Sequence, residues 1–124
     1  MALQNIEAVA FSRPGGESAG SARRRPIDLD HLANQTFGDR ALEAEVLGLF
    51  MQQAASVRKR IGAADEAERR QLAHGLKGAA AGVGAFAISE CASALENDPA
   101  SGRLVKRLGD LIDETRCFIA SICR

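Results

Sequence analysis

Ala73-His74-Gly75-Leu76-Lys77-Gly78-Ala79-Ala80-Ala81-Gly82-Val83-Gly84-Ala85 is the stretch on which the reading of this chain turns. On a helix of about 100° per residue, Leu72, Leu76, Ala79 and Val83 stack on one side as a core stripe. His74 then points the opposite way, between Ala81 and Ala85, with Gly78 beside it and Lys77 flanking. Gln71 and Arg70 rim the same outer face. An exposed helix face usually carries Glu, Lys, Gln or Arg. Here it is stripped nearly bare around one imidazole, which suits a titratable nucleophile that another macromolecule must approach closely.

Working outward, the helical period holds from Ile27 to the C-terminus. A short helix is predicted from about Leu29 to Gln35, with Asp28 as N-cap. Asp39 caps a second helix, in which Leu42, Val46, Leu49, Phe50, Ala54, Val57 and Ile61 recur at three- and four-residue steps. Arg58, Lys59 and Arg60 favour its C-terminal end, and Gly62 follows. Asp65 opens the helix that bears His74, with Glu68 as capping-box partner. A fourth helix, about Phe86 to Glu96, shows Ile88, Cys91, Ala92 and Leu95. Asp98-Pro99 signals the start of the last, with Pro at its first helical position. Its apolar line is Leu104, Leu108, Leu111, Thr115, Phe118 or Ile119, and Ile122. Nothing alternates with period two, so no strand is expected. The fold class is all-α: an antiparallel four-helix bundle with a short extra N-terminal helix. Residues 1–26 are expected to be a disordered tail, with Pro14-Gly15-Gly16 and Arg23-Arg24-Arg25 as linker and solvated charge. Residues 27–124 form the domain.

Composition narrows the function. In 124 residues sixteen basic side chains balance sixteen acidic ones, so no strong field argues for nucleic acid or an anionic membrane. Five Phe with no Trp or Tyr leave few stacking platforms for single-stranded nucleic acid. Cys91, Cys117 and Cys123 read as small core hydrophobes in a reducing compartment. Their spacing lacks the pattern of a zinc site, and no metal is expected. No stretch approaches the roughly 20 apolar residues of a membrane span, nor does the N-terminus read as an export signal. The expectation is a cytoplasmic protein.

Gly75, Gly78, Gly82 and Gly84 would each cost a helix roughly 1 kcal/mol relative to Ala, so each needs a reason. A phosphate-binding loop is not it, because Lys77 precedes Gly78 and no Ser or Thr follows. Gly82-Val83-Gly84-Ala85-Phe86-Ala87 fits the loose dinucleotide pattern, but it follows a helix where that motif needs a strand. Close helix packing accounts for Gly75 or Gly84, and Gly84 also marks where the third helix hands over to the fourth. Gly78 lies outside, where near approach by a partner explains it.

His74-Gly75-Leu76-Lys77-Gly78, the small residues after it, and Val83-Gly84-Ala85 resemble the phosphoacceptor signature of histidine phosphotransfer (HPt) domains. Phe37-Gly38-Asp39 and the long last helix extend the resemblance over about Ile27 to Cys123. Gly75 replaces the usual Thr or Ser, Ala79 and Ala80 stand where Ser is frequent, and Gly82 where Asn is. The resemblance implies a phosphorelay carrier that takes a phosphoryl group on His74 from a receiver-domain aspartyl phosphate and passes it to another receiver aspartate. Lys77 would stabilise the phosphoryl charge. Gly78, Ala81, Ala85, Gln71 and Arg70 would dock the partner. The partners are response-regulator receiver domains, that of a hybrid sensor kinase among them, and they would bring Mg²⁺.

The residues support that chemistry independently. A neutral imidazole, with an unperturbed pKa near 6.5, is a competent nucleophile at cytoplasmic pH. Phosphoryl transfer is mostly positioning and charge stabilisation. With no ATP loop and no carboxylates arranged for Mg²⁺, the chain is not expected to phosphorylate itself from ATP. Two other readings compete. One is a non-catalytic helical adaptor that uses the same smooth strip. The other is a sensor-kinase dimerisation module, which the lack of a Pro shortly after His74 disfavours. A monomer is expected. His31, without such company, reads as a surface or packing residue.

Overall fold

The computed structural model describes residues 25–122. Five helices and no strand occur among these residues: α1 (Leu29–Gln35), α2 (Arg40–Ile61), α3 (Glu66–Val83), α4 (Phe86–Asn97) and α5 (Gly102–Ile122). The predicted tail falls mostly in residues 1–24, which lie outside the described residues, as does Cys123. Ile27, by contrast, is fully buried.

Local chemistry sets most helix starts. Asp28, Asp39 and Asp65 accept from the backbone N–H groups of His31, Leu42 and Glu68 at 3.1, 3.0 and 2.8 Å, which satisfies donors that a helix start leaves open. Glu68 does not complete a capping box, since its Oε2 accepts from Arg60 Nη2 at 3.1 Å. The last helix starts later than Pro99. Ser101 Oγ accepts from the Leu104 N–H at 3.2 Å, while Pro99 is buried and its carbonyl takes a bond from Arg69.

Neighbouring long helices run in opposite directions. Arg60 meets Glu68 while Gln53 faces Gly75. Ser89 Oγ donates to the Lys77 carbonyl, and Glu96 meets His74. Arg58 pairs with Asp113 while Leu47 shares a groove with Ile122. With Cys91 Sγ on α4 donating to the Leu104 carbonyl of α5 at 3.6 Å, these contacts close α2, α3, α4 and α5 into a bundle, with α1 packed on α3. Arg69 reinforces one end by donating to the carbonyls of Ile61, Gly62 and Pro99, each at 3.0 Å.

The core stripes differ in detail from the predicted ones. On α3 the buried residues are Ala73, Leu76, Ala80 and Val83, and Leu72 and Ala79 are only half-buried. The inward face is therefore turned roughly 50°, half a residue step, from the Leu72–Ala79 line. On α2 Leu47 is buried, whereas Leu42 and Leu49 are 36% and 60% exposed. On α5 Ile112 takes the central position, with Leu111 half-buried and Ile122 exposed. Cys91 is buried as expected, but Cys117 is exposed. A three- or four-residue spacing fixes a stripe only to within a residue. The flanking helices decide which edge is covered.

Gly84 is the glycine that the fold requires. Its φ is +86°, and a Cβ there would come within 2.8 Å of the Asp28 carbonyl oxygen. Its own carbonyl accepts from the Asp28 N–H at 2.9 Å, pinning the start of α1 to the end of α3. Close packing does not explain Gly75, where a Cβ would make only an ordinary 3.8 Å contact with Gln53 Nε2.

Candidate functional site

The rotation of the α3 core stripe decides what surrounds His74. Because Ala73 and Ala80 turn inward, the open face of α3 is centred near Gly78, and His74 stands at its α4-facing edge. The His74 side chain is 69% exposed. Gly75, Gly78 and Gly82 are all exposed, and Cβ atoms added at Gly78 or Gly82 would meet nothing within 4 Å. The bare strip is therefore real, and it lies on the α2 side of the imidazole.

Glu96, near the end of α4, fills the other side. Its Oε2 lies 2.7 Å from His74 Nδ1, and its Oε1 accepts from Lys77 Nζ, also at 2.7 Å. One carboxylate thus joins two side chains spaced three residues apart on α3, the spacing that puts neighbours on one helix face. Hydrogen bonding by Lys77, and then by His74, holds the Glu96 carboxyl below its ordinary value. An ionised carboxylate can only accept, so in the neutral ring the proton sits on Nδ1 and Nε2 keeps its lone pair. A base-oriented imidazole of this kind recurs wherever a carboxylate fixes a histidine tautomer. Glu96 carries no sequence motif. Its register against α3 comes from tertiary packing, with Leu95 in the core beside it.

The remaining predicted site residues divide. Lys77 is half-buried and tied to Glu96 rather than free. Arg70 and Gln71 are exposed, as predicted, and Arg70 Nε approaches the Glu96 carbonyl at 3.4 Å. Ala81 is half-buried. Ala85 does not belong to the strip, because it is fully buried. The helix ends at Gly84 with left-handed geometry, so the 100° progression no longer applies one residue later, and Ala85 turns into the core as the residue before α4. His31 packs edge-on against Phe86, with ring centroids 5.1 Å apart, and is a packing residue. No group of three or more His, Cys, Asp or Glu side chains that could hold a metal occurs among the described residues, and none of their helices is long and apolar enough to cross a membrane.

Nothing among curated proteins or solved structures matches the chain. A family profile described as Hpt domain matches residues 45–116, more than half of the chain, running from early α2 through His74 and well into α5. Hpt domains are helical bundles that work with receiver domains of response regulators and hybrid kinases. With an exposed histidine on a helical bundle at the centre of the match, the chain belongs to the Hpt domain family, which carries out histidine phosphotransfer in two-component phosphorelays.

Proposed function

We propose that His74 is the phosphoacceptor, taking a phosphoryl group from one receiver aspartate and passing it to another. The observation that carries this reading is the exposed imidazole with Nδ1 held 2.7 Å from Glu96, which leaves Nε2 as the nucleophile. Nε2 attacks the phosphorus of the aspartyl phosphate. The new P–N bond forms as the P–O bond to the acyl oxygen breaks, and the aspartate leaves as a carboxylate. The ring keeps its Nδ1 proton and becomes cationic, and Glu96 stabilises that charge. In the return step a second receiver aspartate attacks the phosphorus, and the P–N electron pair goes back to Nε2. Lys77, about one turn from His74 and paired to Glu96, holds the carboxylate in place and adds positive charge near the phosphoryl oxygens. Mg²⁺ belongs to the receiver in this reading.

Docking follows the bare strip. Gly78 and Gly82 let the receiver's loops reach the ring, and Arg70 and Gln71 border it. Leu49, one turn along α2 from the Gln53 that faces Gly75, adds an exposed apolar contact on the α2 side. The test is incubation of the full chain with phosphorylated receiver domains. Acid-labile, alkali-stable label on wild type and none on His74→Gln is expected. Equal labelling of the variant refutes the assignment. Receiver binding with no labelling of either protein is the outcome that favours an adaptor.

A further inference from the structure

Three side chains on the α4-facing edge of α3 all end on Glu96. Arg70, His74 and Lys77 are spaced four and three residues apart, which places them within about 60° of arc. His74 Nδ1 and Lys77 Nζ each lie 2.7 Å from a Glu96 carboxylate oxygen. Arg70 Nε takes the third acceptor, the main-chain carbonyl of Glu96, in a longer contact of 3.4 Å. That carbonyl belongs to the last turn of α4, where helix carbonyls lack intrahelical partners and the helix end attracts cations.

The two cations beside the imidazole are not equally free. Lys77 is half-buried, and its ammonium is committed to the carboxylate that holds the ring. Arg70 is exposed, and its two Nη groups have no partner among the described residues. Its chain neighbour Arg69 is the opposite case, with a guanidinium spent on three carbonyls. A guanidinium keeps its charge, and its parallel N–H groups match phosphoryl oxygens two at a time. Arg70 therefore stands about 6 Å along the helix from His74, anchored through Nε and with its outer N–H pair open.

We propose that Arg70 is a further catalytic residue, whose Nη groups donate to the oxygens of the phosphoryl group as it passes to and from His74. The proposal rests on the phosphoacceptor reading of His74. Arg70 makes and breaks no covalent bond in that step. It offsets negative charge on the transferring oxygens, while Glu96 and Lys77 hold the ring.

Two measurements on the full chain test it. In the first, transfer from a phosphorylated receiver is followed in single turnover over a range of receiver concentrations. Arg70→Gln should lower the maximal rate by at least about tenfold, with the half-saturating concentration nearly unchanged and the helix content intact. Arg70→Lys keeps the charge but not the fork, and should recover part of the rate. A maximal rate equal to wild type in Arg70→Gln overturns the proposal. A loss confined to the half-saturating concentration also overturns it, since Arg70 would then serve docking only. In the second, potassium phosphoramidate phosphorylates His74 without a receiver, releasing ammonia. The Arg70 side-chain N–H resonances should shift in the phosphorylated protein, and an unchanged Arg70 spectrum overturns the proposal. Wild type that takes no label from phosphorylated receivers sinks the phosphoacceptor reading and this proposal with it. Labelled wild type with an equal rate in Arg70→Gln sinks this proposal alone.

Discussion

Two ion-pair clusters on this bundle each link a pair of helices through one carboxylate, yet they hold different partners. Between α2 and α5, Asp113 receives Arg58 in a two-pronged fork, Nε at 2.9 Å and Nη2 at 2.7 Å, with Arg116 at 3.6 Å. Both oxygens face a guanidinium, a group that stays protonated and offers no nucleophile. Between α3 and α4, Glu96 divides its oxygens, one to an ammonium and one to an imidazole. Both carboxyls are held below their ordinary values. The difference lies in what the carboxylate holds. Asp113 joins two helices, whereas Glu96 also holds one nitrogen of a largely exposed ring. In the proposed function, the lone pair left on the imidazole is what would make the second cluster a chemical device.

The comparison breaks most severely at His74. His74→Gln is expected to remove all acid-labile label while leaving the circular dichroism of the bundle unchanged, because the side chain is exposed. Gly78→Leu should follow, with helicity intact and transfer slowed at least tenfold, since a branched side chain would stand where the receiver must approach. A normal single-turnover rate for this variant would remove the close-approach argument. Glu96→Ala should cost roughly 10- to 100-fold in transfer rate, by analogy with the loss of a group that orients a metal-bound histidine, and two-dimensional NMR of the His74 ring should show the tautomer mixture shift away from the Nδ1–H form. Asp113→Asn sharpens the contrast by doing the reverse. Transfer should stay at the wild-type rate, and the melting temperature should fall by no more than a few degrees, as expected for an exposed pair.

Acid should act on both clusters in the same direction. A carboxyl depressed in the folded state contributes stability that is complete above its unfolded pKa, about 4, and that drains away as pH falls through the lower folded value. Stability measured by denaturant titration should therefore be flat in these contributions at neutral pH and decline only at and below the ordinary carboxylate range. Asp113→Asn should flatten part of that acid slope. An unchanged slope would show that the fork contributes nothing to it.

Much of this was legible in the sequence, and the reasons are local. Asp28, Asp39 and Asp65 announce helix starts because a cap bond is made within three residues. Gly84 announces a break because its backbone geometry belongs to glycine. His74 and Gly78 stand out because they lie on a bare face where charge is usual. What escaped lies between elements. Leu49 shares its spacing with the core residues of α2, and only the absence of a covering helix leaves it in solvent. Ala85 falls on the open face only if the helix continues past Gly84, and the left-handed turn there sends it into the core instead. Arg69 reads as an ordinary surface arginine until two loops present three carbonyls to it.

Periodicity and capping act over a few residues, so the order of the residues was enough to specify the helices, the three Asp caps and the histidine that stands out from them. Tertiary structure alone decided how far each stripe turns, and therefore that Glu96, twenty-two positions along the chain, reaches the His74 ring. Helix spacing repeats every 3.6 residues and leaves the rotation of each helix free within a step. Packing against neighbours removes that freedom, and here it settles which nitrogen of the imidazole meets the carboxylate.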